Sequence, residues 1–478
     1  MYGGADQHSV DWEGRPVVVA GAAVAGAAAA RALLRRGAVV TVVDRRATAA
    51  TEELAAAGAT VVITDAPSPD LVAPAHELVV SPGFPPDHHL VRAAQAAGLP
   101  VYSEPELAWR LRGPDAAPWL AVTGTNGKTT TVTMLAAILA AAGLRTAAVG
   151  NIGTPLVDLP GPAAPDGYDV LAVELSSQQL HWSITLAPPV AALLNLADDH
   201  LEWHGGFAAY QEAKSVIWRA AQGKDPAAVA VGNLDDPRVA ALLARVPGRR
   251  VGFTLTAPEP GQLGVQDGTL VDYAFADSPV PLLPTDQVRP AGRHHLANAL
   301  AAAALARAHG VAPKAVAAGL AGYQPEPHRN ALVATVAGVA FVDDSKATNP
   351  HAALASLRSY PRVVWIAGGQ LKGVRVDELV RAVADRLVGA VVLGVDREQV
   401  AAALARYAPE VPVVRVDRTD EAAMVEVVRA AAGLAQPGDT VLLAPAAASR
   451  DMFTDYAHRG EAFAAAVAAY TPRAGGDR

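Results

Sequence analysis

The sequence predicts an α/β protein of three domains, each a mostly parallel sheet flanked by helices. At 478 residues, the chain is too long for a single hydrophobic core. Short β-branched runs alternate in three blocks with alanine-rich helical stretches, the pattern of parallel strands joined by crossover helices. Proline-containing segments separate the blocks. We expect Rossmann-like first and third domains around a central domain of the phosphate-loop NTPase type.

The composition limits the available chemistry. Hydrophobic residues make up 51% of the chain and charged residues 18%, which is typical of packed globular domains. The formal net charge of −8, with Lys and Arg scattered, provides no broad basic surface for nucleic acid. Because cysteine is absent, disulfides, thiolate metal sites and a cysteine nucleophile are excluded. Any metal must therefore bind to oxygen or nitrogen.

The beginning of the sequence predicts a cytoplasmic protein. Met1–Gly14 is polar and carries acidic residues where a secretory signal would carry basic ones. The apolar run 17–34 could pass for a short membrane span. Gly21, Gly26 and Arg31 interrupt this run as a strand, a turn and a helix would. We therefore expect no membrane association.

The first block, residues 1–112, contains four predicted strands: Val17–Ala20, Val39–Val43, Thr60–Ile63 and Leu78–Val80. It ends in the proline-containing segment Ser103–Pro118, which predicts a boundary near residue 112. The glycine-containing turn at 21–26 and Asp44, at the end of the second strand, imitate a dinucleotide-binding motif. Ala23 replaces the middle glycine, which would let the backbone approach a pyrophosphate, so tight NAD binding is not expected. A packed strand-turn-helix is the alternative.

The second block, residues 113–326, contains the sharpest motif of the chain. Its predicted elements are the strands Trp119–Val122, Thr146–Val149, Val170–Val173, Val190–Leu194 and Ala228–Val231 and the helix Leu296–Ala308. Residues 123–130 read Thr-Gly-Thr-Asn-Gly-Lys-Thr-Thr between a strand and a helical pattern. Such glycines let backbone N–H groups converge on phosphate, Lys128 supplies positive charge, and the Thr129 hydroxyl is a magnesium ligand. The motif is a shortened phosphate loop; a glycine-rich turn without nucleotide is the alternative.

Two polar motifs follow neighbouring strands of this block, Glu174–Ser177 and Asn195–His200. The carboxyl ends of parallel strands line the ligand-binding crevice of an open α/β sheet. A carboxylate and an imidazole placed there suit magnesium on ATP and a second magnesium on the acceptor. Alternatively, Glu174 pairs with a lysine and His200 caps a helix. On composition alone, Lys214 lies on a solvated helix face.

The third block, residues 327–478, repeats the alternation from Val333 onwards. Its predicted strands include Val363–Ile366, Ala390–Leu393, Val413–Val416 and Thr440–Leu443. Polar segments at 368–373 and 449–456 follow two of these strands. Cations and hydroxyls in this block suit a dicarboxylate, namely Lys346, Thr348, Lys372, Ser449 and Tyr456. The alternative is that Ser449 caps a helix and Lys372 is solvated.

The order of these motifs resembles that of the Mur ligase family over essentially the whole chain. The segments that carry the resemblance are Gly124–Thr130, Asn151–Gly153, Glu174–Ser177, Asn195–His200, Asn298, His328–Arg329 and Asp344–Asn349. Within the family, the sequence is most similar to the branch that adds D-glutamate. The resemblance implies an ATP-dependent ligase that joins D-glutamate to UDP-N-acetylmuramoyl-L-alanine through an acyl phosphate, in peptidoglycan precursor synthesis. It also implies a monomer with small-molecule substrates.

The resemblance assigns roles to individual residues. The implied ATP-binding residues are Gly124, Thr125, Asn126, Gly127, Lys128, Thr129, Thr130, Asn151, Asn298, Arg329 and Asp344. The implied catalytic residues are Lys128, Glu174, His200 and Lys214. ATP would act with two Mg²⁺ ions, whose implied ligands are Thr129, Glu174, His200 and carbamylated Lys214. The UDP substrate would bind Gly21, Asp44, Arg46, Ser81 and Gly83. The amino acid would bind Lys346, Thr348, Lys372, Ser449 and Tyr456.

Some positions depart from the family pattern. His295 replaces an asparagine that members often carry after the histidine at 294, and Ala331 replaces a glutamate two residues beyond Arg329. Both changes bear on the contacts to adenine and ribose. A sister ligase that adds another amino acid, or an enzyme like folylpolyglutamate synthase, stays open. An NAD-dependent oxidoreductase and a non-catalytic nucleotide-binding regulator are the alternatives from other classes.

Overall fold

The computed structural model describes residues 11–160, 164, 167–223, 225–324 and 327–470. It contains sheets of five, nine and six strands, mostly parallel and flanked by helices, which confirms the three-domain α/β prediction. The chain forms two compact units, one comprising the chain up to Val288 with Leu296–Tyr323 and the other Arg289–His295 with the chain from Gln324 onwards. The first unit contains the five- and nine-stranded sheets.

The domain boundaries at residues 112 and 326 stay predictions. Residues 325 and 326, at the second boundary, lie outside the described residues, as do residues 1–10 of the polar N-terminal segment and 471–478 of the third block. In the described ranges, no helix is long and apolar enough to cross a bilayer. The apolar run 17–34 is instead part of a strand followed by a turn and a helix.

The five-stranded sheet is parallel throughout, in the order β3-β2-β1-β4-β5. Its strands are β1 Pro16–Ala20, β2 Val39–Asp44, β3 Thr60–Ile63, β4 Glu77–Val80 and β5 Val101–Tyr102. Its helices are α1 Val24–Leu34, α2 Ala49–Ala56, α3 His89–Ala96 and α4 Glu104–Leu111. Val17 and Val19 pack on one face of the sheet and Val18 and Ala20 on the other. Because both faces are covered, these strands read as continuous apolar runs.

The proline-containing segment Ser103–Pro118 is helical in its first half, which α4 occupies. Pro105 lies in the first turn of this helix, where a missing N–H removes no helical hydrogen bond. The carboxylate of the next residue, the buried Glu106, accepts the backbone N–H groups of Ile184, Thr185 and Leu186 at 2.9–3.0 Å. These long-range partners anchor α4, and no local pattern in the sequence reveals them.

The nine-stranded sheet has the order β14-β13-β12-β11-β10-β9-β6-β8-β7. Its strands are β6 Trp119–Thr123, β7 Ala148–Gly150, β8 Leu171–Glu174, β9 Val190–Leu193, β10 Val229–Asn233, β11 Arg249–Phe253, β12 Gln262–Gln266, β13 Thr269–Asp272 and β14 Val280–Pro284. Its helices are α5 Lys128–Ala141, α6 Ser177–His181, α7 Leu201–His204, α8 Phe207–Ser215, α9 Arg219–Gln222, α10 Pro237–Ala244, α11 Arg293–Ala308 and α12 Pro313–Ala321.

The prediction missed β11 to β14, which extend this sheet at one edge. β12, β13 and β14 pair antiparallel to one another. Asp267 and Gly268, both with positive φ, connect β12 to β13. An Asp-Gly pair between alternating apolar runs is a hairpin signal, so the sequence contained the information for this element.

The six-stranded sheet has the order β15-β16-β20-β17-β18-β19, with only β15 antiparallel among the described strands. Its strands are β15 Ala331–Val336, β16 Val339–Asp343, β17 Val363–Gly368, β18 Leu387–Leu393, β19 Val413–Arg415 and β20 Thr440–Leu443. Its helices are α13 Pro350–Leu357, α14 Asp377–Val383, α15 Arg397–Tyr407, α16 Ala423–Leu434 and α17 Tyr456–Ala469. Because β16, β20 and β17 are adjacent, the loops that follow them lie at the same edge.

Candidate functional site

The phosphate loop lies between β6 and α5, as the sequence predicts. Gly127 has φ +83°, and a Cβ atom there would clash with the Asn298 side chain, so the loop requires glycine and Asn298 lies beside it. Lys128 begins α5, and its Nζ donates to the carbonyl oxygens of Gly124 at 3.0 Å and Thr125 at 2.9 Å. The N–H groups of the first turn have no partners within the helix, which makes this end of α5 suited to phosphate.

Two side chains outside the loop fix its shape. The Asn195 side chain accepts the Asn126 backbone N–H at 2.8 Å and donates to the Asn126 carbonyl at 3.0 Å. The Tyr210 hydroxyl lies 2.8 Å from Thr125 Oγ1. Neither Asn195 nor Tyr210 was among the predicted site residues. The motif Asn195–His200 indicated that Asn195 lies near the site, whereas nothing in the local sequence indicates a role for Tyr210.

Glu174 lies at the end of β8, beside the first turn of α5. Its Oε2 accepts the Thr129 hydroxyl at 2.7 Å, and its Oε1 accepts Asn151 Nδ2 at 2.9 Å. The carboxylate is 2% exposed. The alternative in which Glu174 forms an ion pair with a lysine is wrong. Among the described residues, its side-chain partners are the Thr129 hydroxyl and the Asn151 amide. Thr129, Asn151 and Glu174 therefore lie together, as predicted.

Lys214 is buried, so its assignment to a solvated helix face is wrong. Its side chain is 2% exposed, and its Nζ donates to Thr123 Oγ1 at 3.2 Å and to the Gly124 carbonyl at 2.8 Å. Burial, and secondly the charge of Lys128, lower the pKa of Lys214 well below its usual range, against the opposing charges of Asp199 and Glu174. The Gly124 carbonyl oxygen thus accepts hydrogen bonds from both Lys128 and Lys214.

His200 occupies the N-cap position of α7 with φ +52°, as the helix-cap alternative expected, but its side chain forms no capping hydrogen bond. About half of the side chain is exposed, and Nε2 lies 3.7 Å from Asp199 Oδ2. The imidazole is therefore accessible at the rim of the site.

These groups open into one cavity of about 310 Å³ within the first unit. Its lining residues are Pro82, Gly83, Gly124, Lys128, Asn151, Ser176, Ser177, Gln178, Asp199, His200, Tyr210 and Lys214. The cavity combines the phosphate loop, the buried lysine and the loop after β4 of the five-stranded sheet. The predicted site residues that line this cavity are Gly83, Gly124, Lys128, Asn151, His200 and Lys214.

Thr129 and Glu174 are not among the lining residues, but Glu174 accepts a hydrogen bond from the lining residue Asn151, and the Thr129 and Glu174 side chains offer oxygen donors that suit a magnesium ion. Within the described ranges, no group of three or more His, Asp and Glu side chains could hold a metal. A site here must use other oxygen donors as well. The Thr129 hydroxyl and Glu174 carboxylate are already in contact, and magnesium binds through such oxygens while keeping several waters. A carbamate on Lys214 would add a further anionic oxygen ligand.

The predicted UDP-binding residues surround the turn after β1. Asp44 Oδ2 accepts the Ala22 backbone N–H at 2.6 Å, and Ser81 Oγ donates to the Gly21 carbonyl at 3.2 Å. Gly21 has φ +90°, and a Cβ there would overlap Ser81 Oγ. Asp44, Gly21 and Ser81 therefore lie together, whereas Arg46 is exposed and contacts Asp44 only through its backbone N–H.

Of the predicted amino-acid-binding residues, Lys346, Thr348, Lys372 and Ser449 lie on the loops that follow β16, β17 and β20 in the second unit, and Tyr456 begins α17. Lys346 Nζ lies over the Tyr456 ring, 3.7 Å from its centroid. Ser449 is buried in the loop that pairs with Gln370 through Ala448, and its carbonyl accepts the Met452 and Phe453 N–H groups. Lys372 is exposed, as the alternative reading expected.

Three further predicted residues, Thr348, Asp344 and Arg329, also lie in the second unit. The Thr348 backbone N–H donates to the Lys346 carbonyl at 2.8 Å. Asp344 Oδ1 accepts the Asn330 backbone N–H at 3.2 Å, which places it beside the residue that follows Arg329. The structure thus brings Asp344 and Arg329 to the same loop region, and their roles stay predictions.

Comparison with known proteins gives three consecutive family matches. Residues 15–103 match the N-terminal domain of the MurD-like Mur ligases, 122–306 the Mur ligase middle domain, and 328–447 the Mur ligase glutamate ligase domain. The UDP-N-acetylmuramoylalanine--D-glutamate ligase of Thermobifida fusca is 56% identical over 82% of this chain and 84% of its own length. The chain belongs to the Mur ligase family. The resemblance drawn from the sequence motifs is confirmed.

Other Mur ligases match over greater lengths. The enzyme of the same name from Rhodococcus jostii is 50% identical over 97% of each chain. Among solved structures, MurF from Acinetobacter baumannii matches with a TM-score of 0.58 and 19% identity, over 95% of this chain and 91% of that one. MurC from Thermotoga maritima matches with a TM-score of 0.56 and 17% identity, over 95% and 99%. At these identities, the structural matches support the fold alone.

Proposed function

We propose that this Mur ligase joins D-glutamate to the carboxylate of UDP-N-acetylmuramoyl-L-alanine, with cleavage of ATP to ADP and phosphate. The observation that carries the proposal is the cavity that Lys128, Lys214, Asn151 and Gly83 line together. This arrangement suits a reaction in which the terminal phosphate of ATP meets a nucleotide-linked carboxylate. The relatives' names support the choice of D-glutamate.

The reaction proceeds in two steps. A carboxylate oxygen of the precursor attacks the terminal phosphorus of ATP, and the bond to ADP breaks, which gives an acyl phosphate. The D-glutamate amine then attacks the acyl carbon, loses a proton and expels phosphate. Activation is necessary because a carboxylate repels nucleophiles and its oxygen is a poor leaving group. Binding ATP and the precursor at this cavity converts the first step into a reaction between adjacent groups.

Each residue at the cavity has a specific part in the first step. Lys128 and the N–H groups at the start of α5 stabilise charge on the transferred phosphoryl group. Asn151, held by Glu174 at 2.9 Å, lies beside the reacting phosphate. Magnesium, when bound to Thr129, Glu174 and His200, neutralises charge on the phosphate oxygens.

Lys214 completes this set as a carbamate. Because its pKa is lowered well below the usual range, its amine is available in the neutral form that attacks CO₂. A nitrogen–carbon bond forms as one carbon–oxygen π bond of CO₂ opens, the nitrogen releases a proton to solvent, and the neutral amine becomes an anionic carbamate. The carbamate would be attracted by the positive charge of Lys128, and its oxygens would supply a ligand for a second magnesium ion.

The remaining assignments follow the resemblance. Asp44, Arg46, Ser81 and Gly21 bind the UDP moiety together with Gly83. The ATP contacts outside the phosphate loop are Asn298, Arg329 and Asp344, and the D-glutamate contacts are Lys346, Thr348, Lys372, Ser449 and Tyr456. The enzyme acts in the cytoplasm, where ATP and the UDP-linked precursor occur, and works as a monomer. The domains span residues 1–112, 113–326 and 327–478.

A phosphate-release assay tests the proposal. Purified protein is incubated with magnesium-ATP, UDP-N-acetylmuramoyl-L-alanine and one amino acid at a time, and the product mass is measured. We expect phosphate and a product heavier by one glutamyl residue with D-glutamate alone. Phosphate release with L-lysine, diaminopimelate or a folate substrate would favour a sister ligase or a folylpolyglutamate synthase-like enzyme. Binding of ATP without turnover would favour a non-catalytic regulator.

A further inference from the structure

Two tryptophans from the nine-stranded part of the first unit donate hydrogen bonds to one loop of the five-stranded part. Trp203 Nε1 donates to the Gly83 carbonyl at 3.3 Å, and Trp182 Nε1 donates to the Phe84 carbonyl at 3.3 Å. Trp182 follows α6, and Trp203 lies within α7. Consecutive carbonyl groups are therefore held by side chains from two separate elements.

The tryptophans also pack against the five-stranded sheet. Trp182 is 3% exposed and belongs to the same apolar cluster as Val18, Leu78 and Val80, while Trp203 packs at the edge of that cluster. The His181 ring makes edge contacts with both indoles, at centroid distances of 4.6 Å and 5.1 Å. These contacts fix both indole rings, so their N–H groups have defined directions.

The loop they hold, Ser81–Phe84, borders the reaction cavity. Its first residue is tied to β1, because the Ser81 backbone N–H donates to the Ala20 carbonyl at 2.8 Å and Ser81 Oγ donates to Gly21. Its last two residues are tied by the indoles. Pro82 and Gly83, in the middle of this loop, line the cavity that Lys128 also lines. The Phe84 backbone N–H closes this turn by donating to the Ser81 carbonyl at 3.0 Å, and the Trp203 indole additionally restrains the Gly83 carbonyl.

We propose that Trp182 and Trp203 form a clasp that positions the loop Ser81–Phe84 for the nucleotide-diphosphate part of the acceptor substrate. This inference rests on the proposed function and deepens it. Both tryptophans are positioning residues, because they act through the backbone of Gly83 and Phe84. Loss of the clasp weakens binding of the UDP-linked acceptor and leaves ATP binding intact, since the phosphate loop has its own restraints in Asn195 and Tyr210.

The test compares Trp182→Phe, Trp203→Phe and the double variant with wild type. Phenylalanine keeps most of the ring packing and removes the N–H donor. We expect KM for the UDP-linked acceptor to rise about fivefold in each single variant and about twentyfold in the double variant, the size of one and two neutral hydrogen bonds. KM for ATP should stay within about twofold, because its restraints are unchanged.

Trp218→Phe is the matched control. Trp218 Nε1 donates to the Ala191 carbonyl at 3.0 Å in the core of the first unit, so this variant also loses a buried indole hydrogen bond. We expect a lower Tm with unchanged KM values. Hydrogen exchange of peptides covering residues 81–88 should accelerate in the double variant and stay unchanged in Trp218→Phe.

The outcomes separate the clasp from the function. If wild-type protein forms no product from D-glutamate and the UDP-linked acceptor, the proposed function fails. If wild type is active and the folded double variant keeps its acceptor KM, or loses ATP and acceptor affinity equally, the clasp is wrong. Should the double variant not fold, the single variants and their exchange rates decide in the same way.

Discussion

Lys128→Met tests how much the charge of Lys128 contributes to phosphoryl transfer. Methionine keeps the length of the side chain and removes the charge. Lys128 is partly buried and lines the cavity, so the effective dielectric constant lies well below that of water. Two unit charges about 4 Å apart attract by about 4 kcal/mol at an effective dielectric constant of about 20. If that attraction develops in the transition state, its loss lowers kcat by about 10³-fold.

The assay is phosphate release with all three substrates saturating, so that kcat is separated from binding. Lys314→Met is the control, because Lys314 is exposed on α12 and its loss should leave kcat unchanged. Thermal unfolding verifies that both variants are folded. A folded Lys128→Met enzyme that retains more than about a tenth of wild-type kcat would refute the electrostatic argument.

Three further changes have distinct expected results. Lys214→Met should abolish turnover. Wild-type protein in ¹³C-bicarbonate should show a carbamate NMR signal that this variant lacks. An active variant would contradict the metal-ligand role of Lys214. Glu104 is buried beside Val157, and burial raises its pKa from 4.5 to about 7. Between these pH values the folded state binds a proton that the unfolded state has lost. The free energy of unfolding therefore falls as pH rises from 4.5 to about 7. Glu104→Gln should flatten this dependence by about 3 kcal/mol, measured by denaturant unfolding at pH 5 and pH 8, and an unchanged slope would show that another group titrates. Arg459 is 1% exposed and donates to Ser345 and to the Ala447 carbonyl, which joins the loops that carry Lys346 and Ser449. Arg459→Met should therefore raise KM for D-glutamate at least about tenfold, because two or more hydrogen bonds to a charged group are lost. KM for ATP should stay unchanged, and Arg459→Lys should partly restore KM for D-glutamate. Equal changes in both KM values would contradict this role.

Local motifs in the sequence predicted the phosphate loop and its neighbours well. The loop at 124–130 depends on residues adjacent in the chain, and Glu174 and Asn151 follow strands whose parallel order makes their ends converge. The apolar strands of all three sheets were also predictable, because two covered faces produce β-branched runs. These features depend on periodicity and on residue types at fixed spacing.

Features that depend on distant contacts could not be predicted in this way. The burial of Lys214 results from the packing of α8 under the phosphate loop, and a lysine in a polar helical segment gives no local sign of it. The same holds for Glu106, whose backbone partners lie about 80 residues further along the chain. The indole contacts of Trp182 and Trp203 link segments about 100 residues apart. Such residues resemble ordinary core positions until the fold is known.

The most direct test of the account follows one oxygen atom. UDP-N-acetylmuramoyl-L-alanine labelled with ¹⁸O at both carboxylate oxygens is incubated with the enzyme, magnesium-ATP and D-glutamate, and the released phosphate is analysed by mass spectrometry. Because a carboxylate oxygen attacks the terminal phosphorus and leaves with it, we predict one ¹⁸O atom in each phosphate and one in the new amide. Unlabelled phosphate, with amide bonds formed, would contradict activation of the carboxylate by ATP.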